Sequence, residues 1–261
     1  MAETGNQIST RMKKIALITG ATSGIGEATA RKFAEHGIDL IICGRREEKL
    51  AGLKESLEKD VAVRTLSFDV RSEEATLAAI SSLEDEWRHI SILVNNAGNA
   101  HGLSTIDQGD TRDWDAMMDG NVKGLLYVSR AVIPGMVGRK SGHIVNISSI
   151  AGKETYKNGA VYCASKAAVE AISQGMRLDL TEQGIKVTNI APGAVETGFS
   201  MVRFKGDAER AEKVYAGFEP LQAADIADAI FYAVSAPAHV TIADMTILAA
   251  AQSQATVIHR Q

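Results

Sequence analysis

The chain has little cysteine, no block of one charge and no long apolar run. Only Cys43 and Cys163 occur in 261 residues. Both stand among apolar or small residues, which argues for buried thiols in a reduced compartment and against a disulfide framework. Basic and acidic residues nearly balance, 28 against 32, for a net charge of -4. No basic block points to nucleic acid, and no acidic tail points to a solvating arm. No apolar run approaches the roughly 18 residues of a membrane span. The opening stretch MAETGNQISTRMKK is polar and has no apolar centre, so it does not read as a secretory leader. Residues 1 to about 12 are expected to be a loose arm, and the protein to be cytoplasmic. No histidine, cysteine and carboxylate cluster has metal-ligand spacing, so no catalytic metal is expected. There is no repeat, linker or low-complexity segment, so residues 13–261 are expected to form one domain.

What is present is an alternation of short β-rich apolar runs and longer helical patterns. Strands are expected at 14–19, 38–43, 61–68, 90–98, 142–148, 185–193 and 244–250. Helices are expected at 24–37, 46–59, 72–87, roughly 111–139, about 159–183 and 223–236. The 72–87 helix begins with a serine cap and an acidic first turn. Near-continuous apolar strands alternating with helices imply an α/β fold. The expected form is a single-domain, doubly wound parallel sheet of the Rossmann type, with about seven strands and helices on both faces.

The first strand runs into TGATSGIG, Thr19 to Gly26, which opens the first helix. That context marks a dinucleotide-binding turn, although the glycine spacing is not the more widespread G-x-G-x-x-G. Gly20 allows the tight turn, Gly24 a close backbone approach, and Gly26 close helix–strand packing. Thr22, Ser23 and Ile25 complete the stretch that would cradle a pyrophosphate at the helix N-terminus. The second strand ends without a carboxylate, and Arg45 and Arg46 follow at once. Guanidinium groups match a 2′-phosphate bidentately, so the expected cofactor is NADP. Arg46 also fits a solvated helix start. Arg45 fits it less well, because a cation at a helix N-terminus is unfavourable without an anion.

Tyr162 and Lys166 are four residues apart on an expected helix, so they share one face. A lysine ammonium beside a phenol favours the phenolate, moving a group of ordinary pKa about 10 towards neutral pH. Ser149 follows the fifth strand and is placed to hold a substrate oxygen beside that phenol.

TGATSGIG, NNAG at 95–98, Asn121 in GNVKG, Ser149, YCASK at 162–166 and APG at 191–193 occur together in this order. In order and spacing they resemble the short-chain dehydrogenase/reductase family over nearly the whole chain. The resemblance implies hydride transfer with NAD(P). Tyr162 would be the acid/base, Lys166 its modulator and a ribose ligand, Ser149 the oxygen holder, and Asn121 a link in a proton relay. It also implies that Asp69 and Val70 flank the adenine and that Asn96, Ala97 and Gly98 pass beside its ribose. Pro192, Gly193, Val195 and Thr197 would meet the nicotinamide. Tyr156 is expected in the wall of the substrate pocket, and a homotetramer paired through the long helices after the fourth and fifth strands is expected.

A lid is expected over about 194–222. Arg203 in it fits a clamp for a substrate carboxylate, and equally a surface arginine on a solvated loop. GRREEKL, SMVRFKGD, PAHVTI and the closing QSQATVIHRQ are similar to the NADP-dependent 3-hydroxy acid dehydrogenases. That likeness implies oxidation of small 3-hydroxy acids such as serine or allo-threonine, or reduction of the matching semialdehydes. Reduction of another carbonyl, such as a 3-oxoacyl group or a simple ketone, remains an alternative. So does a sensor that binds NADP without turnover.

Overall fold

The computed structural model describes residues 14–261, so the arm expected over residues 1 to about 12 lies outside the described residues. The elements follow the expected alternation. β1 (Ile15–Thr19) leads to α1 (Gly24–Glu35), β2 (Asp39–Gly44) to α2 (Glu47–Leu57), and β3 (Val63–Ser67) to α3 (Glu73–Ser81). β4 (Ile90–Asn95) precedes α4 (Thr111–Met118) and α5 (Gly124–Arg139). β5 (Gly142–Ile147) precedes α6 (Ala160–Leu180), and β6 (Ile185–Pro192) closes the second half. The segment after β6 holds a short strand β7 (Val195–Glu196), helices α7 (Phe199–Arg203) and α8 (Ala208–Lys213), and a short strand β8 (Leu221–Gln222). α9 (Ala223–Ser235) and β9 (Asp244–Ile247) complete the fold.

Seven strands form one parallel sheet in the order β3-β2-β1-β4-β5-β6-β9. The winding reverses between β1 and β4, and the crevice at such a point is where doubly wound sheets bind ligands. Side chains alternate across the sheet. Ala16 and Ile18 of β1 join Phe33 of α1, Leu50 of α2 and Ile230 of α9 in one buried cluster. Leu17 joins Val128 of α5 and Val169 of α6 in the other. Both faces are covered, which is why the strands read as continuous apolar runs.

Three expected elements differ. The helix expected over 72–87 ends at Ser81, and a 3₁₀ turn follows at Asp85–Trp87. Ser82 Oγ bonds back to Ala79 O at 2.8 Å, and Arg88 Nε takes Leu83 O at 2.8 Å. Those side chains offer the last carbonyls an alternative to the helical ladder. The expected Ser72 cap is present, accepting from Ala75 N. The helix expected over 111–139 is interrupted by a π-helical segment, Asp119–Lys123. The segment expected to be irregular holds two short helices, with β7 and β8 paired in parallel at its base.

β5 carries a buried histidine whose titration sets an acid limit on stability. Thr188 Oγ1 donates to Ile242 O at 2.6 Å, so it must accept from His143 Nε2 at 2.8 Å. Burial, helped by Lys186, lowers the His143 pKa from 6.5 to about 4. The unfolded chain therefore gains a proton below about pH 6.5, and the folded chain gains it only near pH 4. Stability falls across that window as pH falls, by up to about 3 kcal/mol in the limit of full burial. Urea midpoints at pH 7 and pH 4.5 should converge in His143→Gln relative to the parent. An unchanged gap would show that other groups set the acid limit.

Candidate active site

The glycine turn after β1 is shaped by close approaches. Gly20 has φ +66°, and a Cβ there would lie 2.9 Å from Asn96 Nδ2. A Cβ on Gly26 would collide with the Gly20 carbonyl. Asn96 Nδ2 donates to Thr19 O at 2.9 Å, and Thr19 Oγ1 accepts from the Asn96 and Ala97 amides at 3.1 and 3.0 Å. The turns after β1 and β4 are thus locked together at the crevice. Gly24 lies under the lid, where an added Cβ would stand 3.3 Å from Thr197 Cβ. Ile25 packs against the core, which leaves its backbone for any phosphate.

The two arginines after β2 take different positions. Arg46 Nη2 donates to Thr22 Oγ1 at 2.7 Å and to Ser23 Oγ at 3.1 Å. It is folded onto the glycine turn. Arg45 is 60% exposed, with its Nη1 at 3.7 Å from Asp69 Oδ2. Asp69 is held mainly by Arg71, at 2.6 Å. Burial raises the Asp69 pKa, but the Arg71 hydrogen bonds and the Arg45 charge win, and the net shift is downward. Val70 packs against Gly124 at the start of α5.

The π-helical segment exists where Asn121 turns inward. Asn121 Nδ2 donates to Asn99 O at 2.8 Å and to Ser165 Oγ at 2.9 Å, and its Oδ1 accepts from Asn99 N at 2.7 Å. Three tertiary bonds on one buried amide offset the extra residue in the turn. Asn99 and Ser165 hold Asn121 in place, and no spacing in the sequence announces that role.

α6 presents Tyr162 and Lys166, both buried, on one face. Lys166 Nζ donates to Ile147 O at 2.9 Å, and a Cβ on Gly98 would come within 3.5 Å of it. Burial lowers the Lys166 pKa to about 8, and the Glu170 carboxylate opposes the fall. Burial pushes the Tyr162 phenol above its ordinary value, and Tyr156 adds to the rise. A hydrogen bond with Ser149 and the Arg203 charge pull it back. The net direction is opposite to the expected one, because desolvation of the buried phenol outweighs the Ser149 hydrogen bond and the Arg203 charge. Ser149 caps the turn Ile150–Gly152 by accepting from Ala151 N at 3.1 Å, and its Oγ lies 3.4 Å from Pro192 O. Ser148 is occupied structurally, its Oγ donating to Lys166 O.

The loop after β6 is fixed through the C-terminal segment. Gly193 N donates to Ile247 O, and Ala194 N to Gln252 Oε1. Val195 O accepts from Tyr215 Oη at 2.9 Å, and Thr197 Oγ1 accepts from Phe199 N at 3.3 Å.

Arg203, at the end of α7, is not a solvated loop side chain. Its Nη2 donates to Tyr156 Oη at 3.0 Å. Its Cζ lies 5.5 Å from the Tyr156 ring centre and 5.6 Å from that of Tyr162. Gly102 N donates to Arg203 O at 2.9 Å, and Lys205 pairs with Asp113 at 2.9 Å. The lid is tied across the mouth of a cleft lined by His101, Asp113, Trp114, Asn158, Tyr162 and Arg203, among others. Tyr156 stands behind Arg203 as its partner. Asp113 and Asn158 enter only because the chain folds back, since nothing in their spacing marks them.

A buried phenol, a buried ammonium, a hydroxyl and a guanidinium thus converge beside a phosphate-type turn. Among the described residues there is no group of three or more metal-ligating side chains, and no helix long and apolar enough to cross a membrane. The arrangement suits proton exchange with a substrate oxygen next to a bound dinucleotide.

The short chain dehydrogenase family pattern matches residues 14–208. NADP-dependent 3-hydroxy acid dehydrogenase YdfG from Salmonella typhi is 46% identical over 248 residues, covering 94% of this chain and 99% of that protein. Sulfoacetaldehyde reductase 2 from Chromohalobacter salexigens is 43% identical, covering 93% and 96%. Among solved structures, the closed form of a serine dehydrogenase complexed with NADP+ superposes with a TM-score of 0.89 at 44% identity, covering 95% of this chain and all of that one. Sheet order, glycine turn and sequence agree, and the chain belongs to the short chain dehydrogenase family of oxidoreductases.

Proposed function

We propose that this dehydrogenase uses NADP to oxidise small hydroxy compounds whose anionic group is one carbon removed from the reacting carbon, and to reduce the matching aldehydes or ketones. 3-Hydroxy acids such as serine or allo-threonine have that arrangement, and so does the substrate named for the sulfoacetaldehyde reductase relative. The observation that carries the reading is Arg203, a guanidinium set 5.6 Å over the Tyr162 ring inside the cleft. Its charge lies beside the phenol, and a guanidinium suits either a carboxylate or a sulfonate through charge-assisted hydrogen bonds.

The residues present fit the dinucleotide. The turn from Gly20 to Gly26 offers backbone amides at the start of α1, and Thr22 and Ser23 add hydroxyls. Arg46 and the exposed Arg45 supply two guanidiniums at the end of β2, where a 2′-phosphate needs them. Asp69, Val70 and Asn96 to Gly98 take the adenine side, and Pro192, Gly193, Val195 and Thr197 the nicotinamide side. Bound NADP+ supplies the hydride acceptor and a positive charge near the phenol.

In the oxidative direction Ser149 holds the substrate hydroxyl and Tyr162 Oη takes its proton as the hydride leaves carbon. In reduction Tyr162 returns that proton to the carbonyl oxygen. Lys166 holds a ribose and stabilises the phenolate. Asn121 positions the loop at Asn99 and links the site to solvent through the relay. The reading includes a cytoplasmic homotetramer, supported by apolar side chains left exposed on the two long helices, Leu126 on α5 and Leu178 on α6.

The test is reduced-nicotinamide absorbance with NADP and then NAD, offered L-serine, L-allo-threonine, 3-hydroxypropionate, isethionate and a plain secondary alcohol. Turnover with NADP and the anionic substrates is expected, at least tenfold above NAD and above the alcohol. Preference for the plain alcohol, or for a 3-oxoacyl substrate in reverse, would retire the anion-clamp reading. Tight NADP binding with no turnover would favour a sensor.

A further inference from the structure

A ring of charged groups lies behind the active site, outside the proton steps above. Lys153 Nζ donates to Asp244 Oδ1 at 2.9 Å and Oδ2 at 3.0 Å, and to Glu170 Oε2 at 3.2 Å. Asn189 Nδ2 closes the ring, donating to Glu170 Oε1 at 2.9 Å and to Asp244 Oδ2 at 2.8 Å. The four residues come from the turn after Ser149, from α6, from β6 and from β9. Asn189 and Asp244 are register partners across β6 and β9.

The placement is specific. Ser149 caps the turn Ile150–Gly152, and Lys153 follows that turn directly. Glu170 lies one helical turn beyond Lys166, which lies one turn beyond Tyr162. The ring therefore ties the segment that carries Ser149 to the helix that carries Tyr162 and Lys166. A lone surface ion pair does little. Here the Glu170 side chain is only 14% exposed, and every charged member has at least two partners.

We propose that Lys153, Glu170 and Asp244 form a charge brace that locks the Ser149 turn to α6 and sets a carboxylate behind the Lys166 ammonium, biasing how the Tyr162–Lys166 pair holds its protons. These are positioning residues, and the proposal rests on the reading of that pair as the proton-handling machinery. The surroundings of Lys166 leave Glu170 as its main charged partner. From β5 it meets Ile147 O, and from the turn after β4 the Gly98 backbone, while the Glu170 carboxylate acts on its charge. Tyr162 is met by Ser149, Tyr156, Cys163 and Arg203. Glu170 itself faces Lys153, Asn189 and Asp244.

The test is the pH profile of kcat/KM for NADP-dependent oxidation in four proteins: the parent, Glu170→Gln, Lys153→Met and Glu170→Asp. Removing the anion makes the pair easier to deprotonate, so the Glu170→Gln profile should move to lower pH by about half a unit, near threefold on a limb. Removing the cation leaves two uncompensated carboxylates, so the Lys153→Met profile should move to higher pH. Glu170→Asp keeps the charge and should restore the parent midpoints. A purely structural role would lower the height of both profiles and leave their midpoints in place, and that result overturns the proposal, as does movement of both in one direction. NADPH binding within about threefold of the parent checks that each variant is folded. If Glu170→Gln does not fold, Asp244→Asn removes a charge from the far side and must shift the profile the same way. Tyr162→Phe is run alongside. Full activity in Tyr162→Phe sinks the proton-handling reading, whereas an inactive Tyr162→Phe with unmoved Glu170→Gln and Lys153→Met midpoints sinks the brace alone.

Discussion

Tyr162→Phe should lower kcat by about 10³-fold or more while NADPH binding stays within about threefold. The substitution deletes one oxygen and keeps the ring. That ring packs against Phe199 at 5.8 Å between centres and lies under Arg203, so both contacts survive. What is lost is the hydroxyl proposed to exchange a proton with the substrate oxygen. Positioned acid–base groups contribute about 10²- to 10⁴-fold, or roughly 3–5 kcal/mol of barrier. The turn from Gly20 to Gly26 and the Arg46 contacts, proposed to serve the dinucleotide, lie on other elements and are untouched. Stopped-flow or steady-state absorbance gives kcat, and quenching of protein fluorescence by NADPH gives binding. Turnover within tenfold of the parent would remove Tyr162 from the chemistry. Loss of NADPH binding would show that the variant has disturbed the fold.

Arg203→Met should cost about 10²-fold in kcat/KM for anionic substrates and much less for a plain secondary alcohol. A charge-assisted hydrogen bond contributes about 1.5–3 kcal/mol, and a bidentate one more. Methionine fills similar volume over the two tyrosine rings, so packing is largely kept. Two side effects are built into the geometry. Tyr156 Oη loses its donor. The phenol of Tyr162 loses a cation that pulls it down, so the pH profile moves upward for every substrate. The diagnostic quantity is therefore the ratio of anionic to neutral substrate at the optimum pH of each protein. Equal losses for both substrates would make Arg203 a lid strut and not a clamp. Arg203→Lys should fall between, since an ammonium keeps the charge and loses the fork.

The fold was legible from pattern because its strands are buried on both faces. Ala16, Leu17 and Ile18 are all fully buried, two on one face and one on the other, so the run has no polar interruption to confuse its type. Local chemistry also carried the Ser72 cap. It did not carry the end of α3, where Arg88 reaches back to Leu83 O from outside the expected helix boundary. The π segment was equally silent, because the bonds that stabilise it end on Asn99 and Ser165, far from residue 121 in sequence.

The site divides in the same way. Tyr162 and Lys166 were readable as a pair because helical geometry alone puts residues four apart on one face. Arg45 and Arg46 were readable as candidates for a 2′-phosphate by type, but where each side chain lies was not. Arg46 turns onto Thr22 and Ser23, a contact between residues 24 and 23 positions apart. For Arg203 the sequence left a clamp and a solvated side chain open. The stacking over Tyr156 and Tyr162 removes the solvated reading, and it depends on the lid folding across the cleft. Sequence by itself determined the sheet type, the glycine turn and the Tyr–Lys face, because each follows from periodicity or chemistry within a few residues. Tertiary structure alone decided the Asn121 amide, the Arg203 position, the direction of the Tyr162 shift and the Lys153–Glu170–Asp244 ring. All four depend on burial and on partners brought together only by chain closure, and local spacing carries no information about either.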